Sequence, residues 1–186
     1  LETLRARVPE ATLTSVDAID CPTLIVSREH LLAIVVTLKD DPALRYVAVV
    51  DITAADYLPR DPRFEVVYQL LRFGQPSASA GAERLRLKVL VPGASPTVSS
   101  LCGVFPAADW LEREVFDLFG IEFTGHPDLR RILLPDDWEG HPLRKDYPVQ
   151  VNVPYRSTEA VQITEQEFVA NVQRQRQATA GGRQSS

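Results

Sequence analysis

Residues 112–148 read EREVFDLFGIEFTGHPDLRRILLPDDWEGHPLRKDYP, and this stretch decides how the rest of the chain is understood. It opens as a charged helix and breaks at Gly120. It then runs through Gly125, Pro127, Pro135, Gly140, Pro142 and Pro148. So many breakers exclude a long helix or a central strand. The same stretch is rich in aliphatic, aromatic and charged residues, which a disordered linker lacks. The combination predicts an ordered, extended arm that must find partners for its side chains.

Asp109 and Glu112 fit the spacing of a capping box for a helix over Trp110–Phe119. At 100° per residue, Leu111, Val115, Leu118 and Phe119 share one stripe. Arg113, Glu114 and Asp117 fall opposite, with Arg113 and Asp117 placed to pair one turn apart. Glu112 lies at the edge of the apolar stripe, where a carboxylate needs a partner. It is either the reciprocal cap or a charge offered to another subunit. Gly120 follows as the residue that ends a helix.

Upstream, the pattern gives a short helix over Leu1–Val8 and two strands, Thr12–Val16 and Pro22–Val26, with a turn near Asp20. Ser27 caps a helix over Arg28–Lys39 whose Leu31, Ile34, Val35 and Leu38 form one face. Tyr46–Ile52 reads as a strand buried on both faces. Phe64–Phe73 is the next strand, then a Ser/Ala-rich loop over Gly74–Gly81. Arg84–Val91 alternates, Leu85, Leu87, Val89 and Val91 inward against Arg84, Arg86 and Lys88, which are wet or meet an acidic partner. These last three strands suit an antiparallel meander. Val98–Val104 is expected to be a short helix. Beyond the arm, Val151–Tyr155 continues it. Thr164 and Glu167 form a second capping box for a helix from Glu165 to about Gln173, and the rest is read as disordered.

The fold class is therefore α+β: a mixed or antiparallel sheet with helices packed on it, then an extended Pro/Gly-rich C-terminal arm. The expected divisions are 1–120 for the α+β domain, 121–155 for the interaction arm, 156–173 for a short helical region and 174–186 for the tail.

The totals of 45% hydrophobic and 24% charged residues, with a net charge of −5, describe an ordinary globular chain and argue against nucleic-acid binding. No run approaches the ~20 apolar residues of a membrane span. No signal-peptide pattern is visible in the residues present. Cys21 and Cys102 are the only cysteines, too few for an iron–sulfur cluster, and read as small buried hydrophobes. His126, His141 and the neighbouring aspartates match no zinc template. There is no nucleophile elbow and no phosphate loop. Charge blocks interleave with Ile132, Leu133, Leu134, Trp138, Leu143 and Tyr147, and Trp, Tyr and Arg are the usual anchors of interfaces. The residues favour an interaction arm over an active site. A free-standing metal-dependent hydrolase using His126, His141 and the aspartates is the competing reading.

The run EREVFDLFGIEFTGHPDLRRIL resembles the signature of the thirty-kilodalton family of respiratory complex I, the C-subunit family of NADH-quinone oxidoreductase. GHPLRKDYP resembles its second block. The family's Glu-Arg-Glu falls on Glu112, Arg113 and Glu114, its acidic position on Asp117, its His on His126 and its basic position on Arg130. Neither block departs from the pattern. The resemblance implies a non-redox structural subunit of the peripheral arm, on the cytoplasmic side of the bacterial membrane and attached to it only through the complex. It implies packing against the D-subunit relative and support of electron transfer from NADH to quinone, coupled to proton or sodium translocation. It implies no cofactor in this chain, with FMN and iron–sulfur clusters in partner subunits. A related membrane-bound hydrogenase-type complex is the alternative home. The expected partner interface comprises Glu112, Arg113, Glu114, Asp117, His126, Asp128, Arg130, Arg131, Trp138, His141, Arg144, Lys145, Asp146 and Tyr147. Arg130, Arg131, Arg144 and Lys145 are expected to face acidic groups of the partner, and the arm is expected to exchange its amides quickly until it assembles.

Overall fold

The alternation of Leu85, Leu87, Val89 and Val91 builds the central strand of a five-stranded sheet. In the computed structural model, which describes residues 1–73 and 82–148, the sheet order is β1-β2-β5-β4-β3. Strand β1 (Leu13–Val16) pairs antiparallel with β2 (Thr23–Val26), and β2 runs parallel to β5 (Ala82–Val91). The meander is present: β5 pairs antiparallel with β4 (Phe64–Phe73), and β4 with β3 (Ala48–Asp56). The fold is α+β with a mixed, mostly antiparallel sheet.

One sheet face carries the core. Phe64, Val66, Tyr68 and Leu70 of β4 are fully buried, as are Leu87, Val89 and Val91 of β5. Helix α1 (Glu2–Arg7) and helix α2 (Leu31–Asp40) join the same cluster, with Leu31, Ile34, Val35 and Leu38 all sealed from solvent. Each such aliphatic side chain contributes about 1.5–3 kcal/mol. The opposite sheet face is half-wet and carries the Lys88–Glu65 ion pair at 2.8 Å.

Three local expectations are corrected. The α2 region opens with one 3-10 turn, Arg28–His30, and Ser27 Oγ bonds the His30 ring at 2.9 Å instead of a backbone amide. Strand β3 is buried on one face only. It is an edge strand, and a bulge between Val49 and Asp51 turns Val50 outward, so Val49 and Ile52 point inward while Val47 and Val50 stay about half exposed. The Val98–Val104 segment is not a helix. Thr97–Ser99 forms β6, which runs parallel to β7 (Glu122–Thr124), and turns follow. Val98 and Phe123 face inward from these two strands. A pairing with a segment beyond the intervening helix leaves no local signal.

Helix α3 (Ala108–Phe119) precedes β7, and the described residues all belong to one compact unit, Leu1–Val149. The loop expected at 74–81, the continuation at 151–155, the helix at 165–173 and the tail lie outside the described residues.

Candidate functional site

The site is built on α3 and on what residues 121–148 do with it. Gly120 ends the helix with φ +67°, as its place after Phe119 predicts. A Cβ there would collide with the His141 ring and the Arg144 guanidinium, so this position has neither the torsion nor the space for another residue.

The N-terminal half differs from expectation. Asp109 lies inside the helix and Ala107 precedes it without a side-chain cap, so there is no capping box. Glu112 is fully buried. Its Oε2 accepts from Ser100 Oγ at 2.7 Å, and its Oε1 accepts the Leu101 N–H at 2.6 Å. Cys102 Sγ lies 3.5 Å from Oε2. The carboxylate thus fixes the turn that follows β6. Burial pushes its pKa up, against the pull of those donors. Burial likewise pushes the Cys102 thiol up to about 11. Cys102 and Cys21 are half-buried, where full burial was expected.

The C-terminal half is held by the opposite chemistry. Asp117 is also fully buried. Its Oδ2 accepts three consecutive amides, Ile132 at 3.0 Å, Leu133 at 2.8 Å and Leu134 at 2.9 Å. Its Oδ1 accepts from Arg131 Nη1 at 2.7 Å. Burial pushes the carboxyl up, but the three amides and the guanidinium outweigh it, and the pKa lies below the usual range. The one-turn pair of Asp117 with Arg113 does not form. Arg113 is buried, donates to the carbonyls of Arg130 and Arg131 at 3.2 Å each, and stacks on Trp110 at 5.1 Å from its ring centroid. Of the expected polar face, Arg113 and Asp117 are covered by the arm and Glu114 stays exposed.

A helix leaves its last carbonyls without partners. Here the arm supplies them. His141 Nδ1 donates to Asp117 O at 2.9 Å, the Leu143 amide to Leu118 O at 3.1 Å, and Arg144 to the carbonyls of Phe119 at 2.5 Å and Gly120 at 3.0 Å. A cation at a helix C-terminus also complements the dipole. Arg131 donates on to Trp138 O and Gly140 O, both at 3.0 Å. Arg131 and Arg144 are therefore committed within this chain and do not face outward as expected. His141 is half-buried against Phe116, and burial lowers its pKa.

A clamp that the residue pattern alone did not single out fastens the far end of the arm. Arg63 bridges Asp56 at 2.6 Å and Asp146 at 2.7 Å, and the Lys145 amide donates to Asp56 Oδ2 at 2.8 Å. The guanidinium of Arg63 holds the Asp56 carboxyl well below the usual range. Asp56 closes β3, and the Lys145 amide it accepts lies 89 positions further along the chain, too far to be inferred. Tyr147 packs under Gly140, whose φ is +79°, and Trp138 is half-buried. Of the expected interface residues, Glu114, Asp128, Arg130, Lys145 and Asp146 remain exposed, with Asp128 and Arg130 paired at 2.9 Å.

Donor atoms of Cys102, Glu112 and His126 lie within 4.8 Å of one another. The arrangement is poorly prepared for a metal. His126 Nδ1 accepts the Asp128 N–H at 3.0 Å, which places the ring proton on Nε2, where it is donated to Asp109 O at 3.2 Å. Metal at Nε2 would require that proton on Nδ1, against the Asp128 amide. The Glu112 oxygens already have donors.

Residues 24–153 match the model of the family "Respiratory-chain NADH dehydrogenase, 30 Kd subunit". The chain is 48% identical over 149 residues to the C subunit of the NADH-quinone oxidoreductase of Roseiflexus sp. (strain RS-1), covering 80% of this chain and 82% of that one. It is 50% identical over 128 residues to the corresponding C subunit of Geotalea uraniireducens (strain Rf4), covering 69% and 73%. Among solved structures, the trypsin-resistant fragment (1-134) of Nqo5 superposes with a TM-score of 0.56 at 32% identity, covering 69% of this chain and 95% of the fragment. A chain of the membrane-bound sulfane sulfur reductase, an archaeal respiratory membrane complex, shares the fold with a TM-score of 0.64 at 23% identity, covering 80% and 83%. The chain belongs to the 30 kDa subunit family of the respiratory-chain NADH dehydrogenase.

Proposed function

We propose that this chain is a non-redox structural subunit of the peripheral arm of NADH:quinone oxidoreductase, lying on the cytoplasmic side of the membrane. It packs on the D-subunit relative and supports electron transfer from NADH to quinone without holding a cofactor. FMN and the iron–sulfur clusters belong to partner subunits. The observation that carries this reading is the use of the motif's charged groups. Glu112, Arg113, Asp117, Arg131, His141 and Arg144 are all bonded within the chain, and they shape a rigid module. None stands in an open cleft beside a nucleophile. The hollow lined by Thr14, Ile25, Arg28, Pro62 and Leu90 holds no histidine or cysteine. Among the described residues no helix is long and apolar enough to cross a membrane, which suits attachment through the complex.

The residues left exposed on the module, Glu114, Asp128, Arg130, Lys145, Leu133 and Leu143, supply the partner surface. Charges of both signs there fix register more than they add affinity. Purification of the tagged chain from native membranes tests the reading. The expected co-purifying chains are NADH-oxidising and quinone-reducing subunits. A second reading, the equivalent subunit of a related membrane complex, is favoured by the fold shared with the archaeal sulfane sulfur reductase. Recovery of hydrogenase-like or sulfur-reducing chains without NADH-oxidising ones would select it.

A further inference from the structure

Helix α3 has three faces, and two of them are occupied. Val115 and Phe119 enter the core, with Glu112 bound to the turn at Ser100 and Leu101. Arg113, Phe116 and Asp117 meet residues 130–141 of the arm. The third face runs through Trp110, Glu114 and Leu118, spaced by four and therefore aligned along the helix. Trp110 is 63% exposed, Glu114 is exposed, and Leu118 is half-buried with one side packed against the core. Leu143, 51% exposed, is bonded through its amide to Leu118 O at the end of the strip.

The indole of Trp110 has one neighbour that orients it. Arg113 stacks on one side of it, and Arg113 is itself held by two carbonyls of the arm. A large, exposed aromatic with few rotatable bonds and a stacking neighbour loses less entropy on binding than a long flexible side chain, which is what a hot-spot anchor needs. Glu114 has no hydrogen-bond or ion-pair partner among the described residues, and it lies between the apolar ends of the strip.

Resting on the reading above, we propose that the Trp110–Glu114–Leu118 strip is a docking surface for a neighbouring subunit. That neighbour offers an apolar pocket to the indole and a basic side chain to Glu114. Charge excludes the other occupants. An anionic lipid surface repels Glu114. A second copy of this chain meeting the strip across a two-fold axis would set Glu114 against Glu114.

The test places the photoreactive residue p-benzoyl-phenylalanine at position 110 in the full chain, within complex purified from membranes. Mass spectrometry then identifies what is bonded to it. A cross-link to another subunit, at a site with a Lys or Arg nearby, is expected. Trp110→Ala should lower retention of the chain in the complex about tenfold, Glu114→Lys should lower it more than Glu114→Gln, and the thermal midpoint of the isolated Glu114 variants should stay unchanged. Cross-links confined to this chain's own residues 149–186, to lipid or to a second copy would overturn the proposal while leaving the proposed function intact. Absence of the unaltered chain from the complex would overturn both.

Discussion

Glu112 and Asp117 are carboxylates five positions apart on one helix, both sealed from solvent, and their pKa values are shifted in opposite directions although burial pushes both up. Glu112 receives one hydroxyl, one amide and a weak thiol donor, and burial wins. Asp117 receives three amides and a guanidinium, and the donors win. Burial alone does not decide the charge of a buried acid. The number of N–H groups aimed at it does. The two halves of α3 follow from this. One half anchors a turn of its own domain with a carboxyl whose pKa burial raises. The other organises the arm with a carboxylate that must stay ionised.

The contrast can be broken most forcefully at Asp117. Asp117→Ala leaves Arg131 and three amides without their acceptor, and loss of one partner of a buried pair costs about 3–5 kcal/mol. Thermal and denaturant unfolding of the isolated chain should show it. Next in size is Gly120→Ala, which forces a Cβ into left-handed backbone at about 1–2 kcal/mol and also displaces His141 and Arg144. Its signature is a loosened arm with an intact sheet, seen as faster amide exchange beyond residue 130 alone.

Glu112→Gln sharpens the comparison from the other side. The amide keeps an acceptor and has no charge to bury, so the cost should be about 1 kcal/mol or less. The signs differ with pH. The raised folded pKa of Glu112 gives stability that is present in acid and lost as pH rises through that pKa, and Glu112→Gln should remove the loss. The lowered pKa of Asp117 gives stability present above about pH 4 and lost as pH falls below it, and Asp117→Asn should blunt that acid transition. Stability curves of both variants from pH 3 to 8 separate the two. The smallest effect belongs to His141. Its folded pKa is lowered, so its contribution is present above about pH 6.5 and declines as pH falls from there. His141→Gln should flatten stability between about pH 6.5 and 5, by under ~1 kcal/mol.

The same division separates what a sequence can disclose from what it cannot. The α2 stripe and the β5 alternation are local patterns, and each matched its element. The bulge at Val50 disguised an edge strand as a central one, because an extra residue breaks the period of two. Strand β6 gave no helix because its partner, β7, lies beyond α3. The Asp109–Glu112 spacing imitated a cap, while the actual donors to Glu112 come from the turn before the helix. The breakers between Gly120 and Pro148 were legible as excluding a long helix or a central strand there, and residues 121–148 hold one short strand, β7, among turns. Asp117, Arg131, His141 and Arg144 were not legible as the groups fastening that arm to its own helix, since each bond spans more than a dozen residues and obeys no short spacing rule.

Amide exchange at Ile132, Leu133 and Leu134 in the isolated chain tests the central claim most directly, that Asp117 folds the arm onto α3 before any partner arrives. Slow exchange at these three amides, comparable with β4 and β5, is expected, with its loss in Asp117→Ala. Fast exchange at all three in the unaltered isolated chain, with protection only in the assembled complex, would contradict it.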